Sequence, residues 1–214
     1  MTPLQTVLLA FSTWLLGLLT PGIVDAIRRP QERRELAAAL RVELGELQQR
    51  LALNAFYVWN QHGLLTQERL QWLTDALKRG PQPIRLRDES LEGIKKLATL
   101  SDAELAPINA HNKRASNDSG ISMRHVDAPF LSAHLGRLFL FDANTQRELL
   151  HIRAQIQFFN EQVSETAEFF KMTFSKDLGE ENWRRVEGNL ARGEQRIATR
   201  SEVLANVIGK LQIK

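Results

Sequence analysis

Apolar residues recur along this chain in steps of three and four. Between residues 31 and 61 they fall at Leu36, Leu40, Leu44, Leu47, Leu51, Ala55 and Val58. That spacing holds them on one face of an α-helix, and its eleven-residue period favours a straight or slightly right-handed path. Phe56 and Trp59 widen the face at its far end.

The carboxyl-terminal third carries the same signal twice. Asp142 caps a helix reaching about Phe174, with Leu149, Ile152, Ile156, Phe159, Val163, Thr166 and Phe170 as its stripe. "SKDLGEEN" turns the chain. A second helix follows with Trp183, Val186, Leu190, Gly193, Ile197, Arg200, Leu204, Val207 and Leu211. Two heptad helices joined by a short loop predict an antiparallel coiled-coil hairpin over 143–213, each arm roughly 48 Å long. A turn near Leu178 places Arg200 beside Gln157 and Glu161, and Arg200 is expected to pair with Glu161. The first long helix is expected to lie on this hairpin.

Between these blocks, 66–141 reads as short helices. Gly63 stops the long helix. Thr66 caps the next, with Leu65 able to staple onto Leu70 and with Leu70, Leu73 and Leu77 inward beside Trp72. Gly80-Pro81 ends it. Ser90 caps a helix carrying Leu91, Ile94, Leu97 and Leu100. Ser101 and Glu104 have capping-box spacing, and Pro107 is expected to keep that helix short. The polar stretch 112–127 reads as a long loop, either functional or mobile. Asp127 then caps a helix with Pro129 in its first turn and Phe130, Leu131, His134, Leu135, Leu138 and Phe139 around much of its circumference.

The amino-terminal segment differs from all of this. No Lys, Arg, Asp or Glu precedes Asp25. The run Leu4 to Val24 is about 21 residues, roughly 31 Å as a helix, which matches a bilayer's hydrocarbon core. Thr20-Pro21-Gly22 reads as a helix restart and Pro30 as a further stop. A signal peptide fits less well, because a basic first region and a small-residue cleavage site are missing. The alternative is a buried hairpin helix of a soluble domain. Arg28, Arg29, Arg33 and Arg34 flank the run on its carboxyl side only, so the positive-inside bias places everything beyond them in the cytoplasm, with the amino terminus outside. They are topology and membrane-interface residues on this reading, and each can also touch anionic lipid.

The expected architecture is therefore all-α. A membrane anchor occupies 1–29, its single transmembrane helix spanning about 4–24. A cytoplasmic helical bundle occupies 30–214, with a long helix at 31–61, short helices over 66–141 and the helical hairpin at 143–213.

Composition narrows the chemistry. Of 214 residues 43% are hydrophobic and 25% charged, as in folded rather than disordered chains. There is no cysteine, which removes disulfides, zinc–thiolate sites and cysteine nucleophiles. Acidic and basic residues alternate along most of the chain, and the net charge is +3, so no single-sign field for nucleic acid stands out. Glu148 and His151 have E-x-x-H spacing, but a carboxylate-bridged metal centre wants a second such pair and further glutamates. His62, His111, His125 and His134 lack a histidine at metal-ligand spacing. His62 suits the carboxyl end of its helix, and His134 reads as a partly buried packing residue. Ser116, Ser119 and Ser122 have no nucleophile elbow around them. Phosphate loops and dinucleotide fingerprints are absent. On the last helix Arg184, Arg185, Arg192, Arg196 and Arg200 interleave with glutamates, as on a solvated, ion-paired face.

No catalytic, cofactor or metal residue is thus assigned, and no small-molecule or nucleic-acid partner is expected. The leading expectation is a non-enzymatic, single-pass membrane protein whose helical bundle acts by contact with a protein partner or with itself, its other partner being the lipid bilayer. One alternative is a membrane-acting effector that clusters its anchors on oligomerisation, with Thr13 and Gly17 as a small-xxx-small pair. Another is an enzyme with a site near the 112–127 loop.

Overall fold

The computed structural model describes residues 3–79, 88–115, 123–175 and 179–213; before Arg28, side chains are described only at Phe11, Thr13 and Trp14. The fold is all-helical, and no strand occurs among the described residues. The elements are α1 (Pro3–Gln61), α2 (Gln67–Lys78), α3 (Asp88–Ala98), α4 (Asp102–Ala115), α5 (Pro129–Ala133), a 3₁₀ segment (Leu135–Leu140), α6 (Ala143–Met172) and α7 (Glu180–Lys210).

Helix α1 is 59 residues long, about 88 Å, and runs unbroken through Pro21 and Pro30. The restart expected at Thr20 and the stop at Pro30 are not there. An interior proline removes one backbone hydrogen bond and crowds the preceding turn. Pro30 and its neighbours Arg28, Arg29 and Gln31 are exposed. Among the described residues, no helix is long and apolar enough to cross a membrane. The uncharged run itself lies almost wholly outside the described side chains.

The stripe expected on α1 is its core face. Leu40, Leu51, Ala55 and Val58 are fully buried, and Leu36, Leu44 and Leu47 nearly so. Stripe residues Leu149, Ile152, Ile156, Phe159, Val163 and Thr166 of α6 are buried too. Helix α7 lies antiparallel to both partners. Arg200 reaches Gln155 of α6, and the Cα of Gly193 faces Thr166 of the same helix. On the other side Glu194 meets His62, and Gly209 lies against Gln48, both on α1. Its contact with α1 is the more extensive of the two. The hairpin is therefore not a free two-stranded arm but two thirds of a three-helix bundle.

That changes which side of α7 is inside. The buried set is Val186, Glu194, Ile197, Ala198, Ser201, Leu204, Ala205 and Ile208. Trp183, on the seam read from the sequence, is 40% exposed, while Glu194 is 3% exposed. A helix held between two neighbours buries a wider arc than a coiled-coil seam. Gly193 allows the close approach: a Cβ there would sit 2.6 Å from the Thr166 hydroxyl.

A second core forms where α2, α3 and α4 cover the far end of α1. Trp59, Leu65, Leu70, Leu73, Ile94 and Leu105 are buried in it. Gly63, at φ +63°, makes the turn out of α1, and a Cβ there would meet the Asn109 carbonyl oxygen at 2.4 Å. Thr66 caps α2 through Arg69 N–H, and Ser101 and Glu104 close the expected capping box on α4. Backbone hydrogen bonding to Ser101, then its hydroxyl, holds the Glu104 carboxyl below its ordinary value.

Three local expectations fail. Helix α3 begins at Asp88, so Ser90 lies inside it rather than capping it. Helix α4 continues through Pro107 to Ala115, because Pro107 and Ala103, whose carbonyl it leaves without a donor, are both exposed to water. The helix expected after Asp127 is short and breaks into the 3₁₀ segment, and Asp127 does not cap it. The cap comes instead from α1: Glu43 accepts from Phe130 N–H at 2.6 Å and from Leu131 N–H at 2.8 Å. A carboxylate from another helix thus satisfies two orphan donors and favours the positive end.

The stretch expected as a loop is divided. Residues 112–115 belong to α4, 116–122 lie outside the described residues, and 123–127 have no regular structure. Asn160 of α6 clamps the last part, donating to and accepting from Val126 backbone at 2.9 Å each way. Asn109 clamps the Leu65 backbone in the same manner.

Candidate interaction site

Helix α7 carries a row of arginines at i, i+4 and i+8: Arg192 and Arg196, exposed, and Arg200, half-buried. With Gln162, Gln195, Thr199 and Val203 they line a surface groove of about 630 Å³. None of these lining residues is acidic. Val203, at its end, is 52% exposed and gives the groove an apolar edge.

Among the described residues, Arg192 and Arg200 find only neutral acceptors. Arg192 donates to the Gly188 carbonyl and to Asn189 Oδ1 at 2.8 Å. Arg200 donates to Gln155 Oε1 at 3.0 Å. The expected Arg200–Glu161 pair is therefore absent: the antiparallel register is as expected, but Arg200 reaches Gln155 instead. Glu165 borders a small adjoining cleft with Arg196, yet no ion pair joins the two among the described residues. The tip of α7 is different: Arg184 pairs with Glu180 and Arg185 with Glu181. The ion-paired face read from the sequence is correct at the tip and wrong at mid-helix.

Glu194 explains part of this. It is the glutamate nearest Arg192 and Arg196 in the chain, but it points inward to His62 Nε2 at 2.7 Å. His62 is not simply a basic group at a helix end. The partnership joins residues 132 positions apart, and no local pattern announces it. The signal that could have found it is the small-residue register Ala198, Ser201, Ala205, which marks the α1-facing side and puts Glu194 on it.

The other residues singled out from sequence do not gather into a site. Glu148 accepts from Asn144, and His151 is exposed. His125 meets Ser164 at 3.0 Å on the surface. His134 stacks on Phe130, ring centroids 4.0 Å apart, as a packing residue. No group of three or more metal-ligating side chains occurs among the described residues. Ser116, Ser119 and Ser122 lie outside the described residues.

At the opposite end of the bundle, Arg28 pairs with Glu32, and Glu32 also receives Arg137 from the 3₁₀ segment at 3.5 Å. Arg29, Arg33 and Arg34 line a groove of about 540 Å³ together with Pro30, Phe139 and Leu140. Sequence reasoning found these arginines but not the 3₁₀ segment beside them, which arrives from more than 100 positions away.

No protein-family model, curated protein or solved structure matches this chain.

Proposed function

We propose that this protein is a single-pass, membrane-anchored interaction module without catalysis of its own. Leu4–Val24 serves as the span, the amino terminus lies outside, and the bundle lies in the cytoplasm. Support for the tether comes from the length of the uncharged run and the one-sided arginines. The interaction role rests on a single observation: an arginine-lined, carboxylate-free groove on the outer side of α7.

Its occupant is a protein segment that brings carboxylates to the arginines and an apolar side chain to Val203. Arginine suits this, because its planar fork matches a carboxylate at two points. The bilayer that holds the anchor is out of reach. Gly209 lies level with Gln48 in the antiparallel α1–α7 pair, so Arg200 lies near the level of Tyr57. That is about 50 Å along α1 from Val24, far beyond the headgroup layer.

The test is the native size of the full-length protein in mild-detergent extracts. Wild type is expected in a complex larger than one chain. Arg192→Glu with Arg196→Glu should dissolve it while leaving the thermal melt within about 0.5 kcal/mol of wild type, as for other surface changes. Identical sizes for the two proteins would overturn the proposal.

A further inference from the structure

We infer that the 3₁₀ segment Leu135–Leu140 forms, with the arginines of α1, a second contact with the bilayer: a shelf that seats on anionic phospholipid headgroups beside the anchor. The inference rests on the membrane-anchor reading above and extends it from a tether to an orientation.

Four observations converge. First, α1 is one unbroken helix, so the arginines stand at fixed heights from the uncharged run. At 1.5 Å per residue Arg29 lies about 7.5 Å from Val24 and Arg34 about 15 Å. The headgroup layer is roughly 5–7 Å deep on each side, so the row begins at its outer edge and ends about 8 Å beyond it.

Second, the 3₁₀ segment is held at this height and not deeper in the bundle. Arg137 reaches Glu32, and Phe139 and Leu140 share a groove with Arg29, Arg33 and Arg34. Glu43 holds the preceding turn by its two N–H groups.

Third, Phe139 is 66% exposed. Its neighbours Leu138 and Phe141 are buried, so the segment had apolar positions to spare and still turned this ring outward. An aromatic ring framed by arginines is the composition that favours a headgroup boundary, where the ring meets acyl chains and the guanidinium groups meet phosphate.

Fourth, the charge suits anionic lipid. Arg29, Arg33, Arg34 and Arg137 stand at the same end, and Glu32 beside them pairs with Arg28 and Arg137. A tilt of α1 towards the 3₁₀ side, of the size common in single spans, brings Phe139 closer to the headgroups.

The occupant is the phosphate of anionic lipid in the same membrane, not a soluble phosphate compound. The groove is shallow and exposed, and what fixes its position is the anchor helix from which it is built. The consequence is mechanical: two contacts stop the bundle from swinging about its tether and set the direction in which the α7 groove faces.

The absence of native cysteine makes the test simple. Phe139→Cys, Gly136→Cys and Phe158→Cys each offer one thiol for a polarity-sensitive fluorophore. Gly136 has open space around it, and Phe158 is an exposed α6 position far from this end. Full-length protein is placed in nanodiscs of phosphatidylcholine, with or without phosphatidylserine, and probed with acrylamide, an uncharged quencher. Labels at 136 and 139 should be several-fold less quenched than the label at 158 when phosphatidylserine is present. Arg34→Gln with Arg137→Gln should remove most of that protection. Equal quenching at all three positions in both lipids would overturn the shelf. Carbonate extraction of the same proteins from cell membranes reads the tether separately. A chain that stays inserted but leaves 139 unprotected sinks the shelf alone, whereas a chain released by carbonate sinks the anchor beneath it.

Discussion

On its inner side α7 holds Glu194 at 3% exposure against His62, between Ile197, Ala198 and Ser201. On its outer side Arg192, Arg196 and Arg200 line an open groove with no acidic residue in it. The two sides differ in what becomes of charge. Inside, a carboxylate is committed to fixing the register of α7 on α1. Outside, guanidinium groups are left with amide and carbonyl acceptors. The inward turn of Glu194 removes the closest carboxylate from the arginine row, so the way the bundle is held together helps leave its surface unsatisfied.

If the inner side carries the fold, breaking it should cost the most. Leu204→Ala removes a side chain that is 1% exposed in the middle of that face, and a loss of about 2–5 kcal/mol is expected by chemical denaturation. A loss below about 1 kcal/mol would mean that α7 is not clamped between α1 and α6.

Glu194→Ala should cost less, about 1.5–3 kcal/mol, the range for a buried hydrogen bond to a group that can carry charge. A mutant cycle with His62→Ala should show that the two effects are not additive. Additive losses would place Glu194 with some other partner.

Asp142, the cap of α6, is a third kind of carboxylate, exposed yet bonded, and gives the smallest effect. Thr145 N–H, then the Thr145 hydroxyl, with Asn144 N–H contributing less, hold its carboxyl below its ordinary value. A carboxyl with a lower pKa folded than unfolded stabilises the fold above its unfolded pKa and loses that effect as pH falls through the folded one. Asp142→Asn keeps the cap acceptor but not the charge. Stability near neutrality should fall slightly, and the acid limb below about pH 4 should flatten by the same amount. An unchanged acid limb would mean that the cap is not ionised in the folded chain.

The readable parts of the sequence were those in which a single helix decides. The α1 stripe emerged residue for residue and the α6 stripe as far as Thr166, because the 3- and 4-residue steps that define a helix face also define its buried side. Thr66, Asp142 and the Ser101–Glu104 box were legible because a cap is settled within four residues. The cap on α5 was not, since its acceptor, Glu43, stands 87 positions away. The α7 seam was half legible: its periodicity gave a helix, but a helix between two neighbours has a wider inside than one stripe predicts. Alternating signs on α7 also misled, because pairing depends on which side each charge faces. Glu194 and Arg196 are close in sequence and belong to opposite sides. The four arginines after the uncharged run were found, but the ring of Phe139 beside them was not.

The division between the two sides of α7 is tested most directly by a photo-crosslinker placed in turn at Gln195, Thr199 and Val203 on the outside and at Ala198 and Ala205 on the inside, in the full-length chain in living cells. The outer positions should give one discrete adduct with a second protein, and the inner ones only crosslinks within the chain. Partner adducts from Ala198 or Ala205, or none from the outer three, would contradict the account.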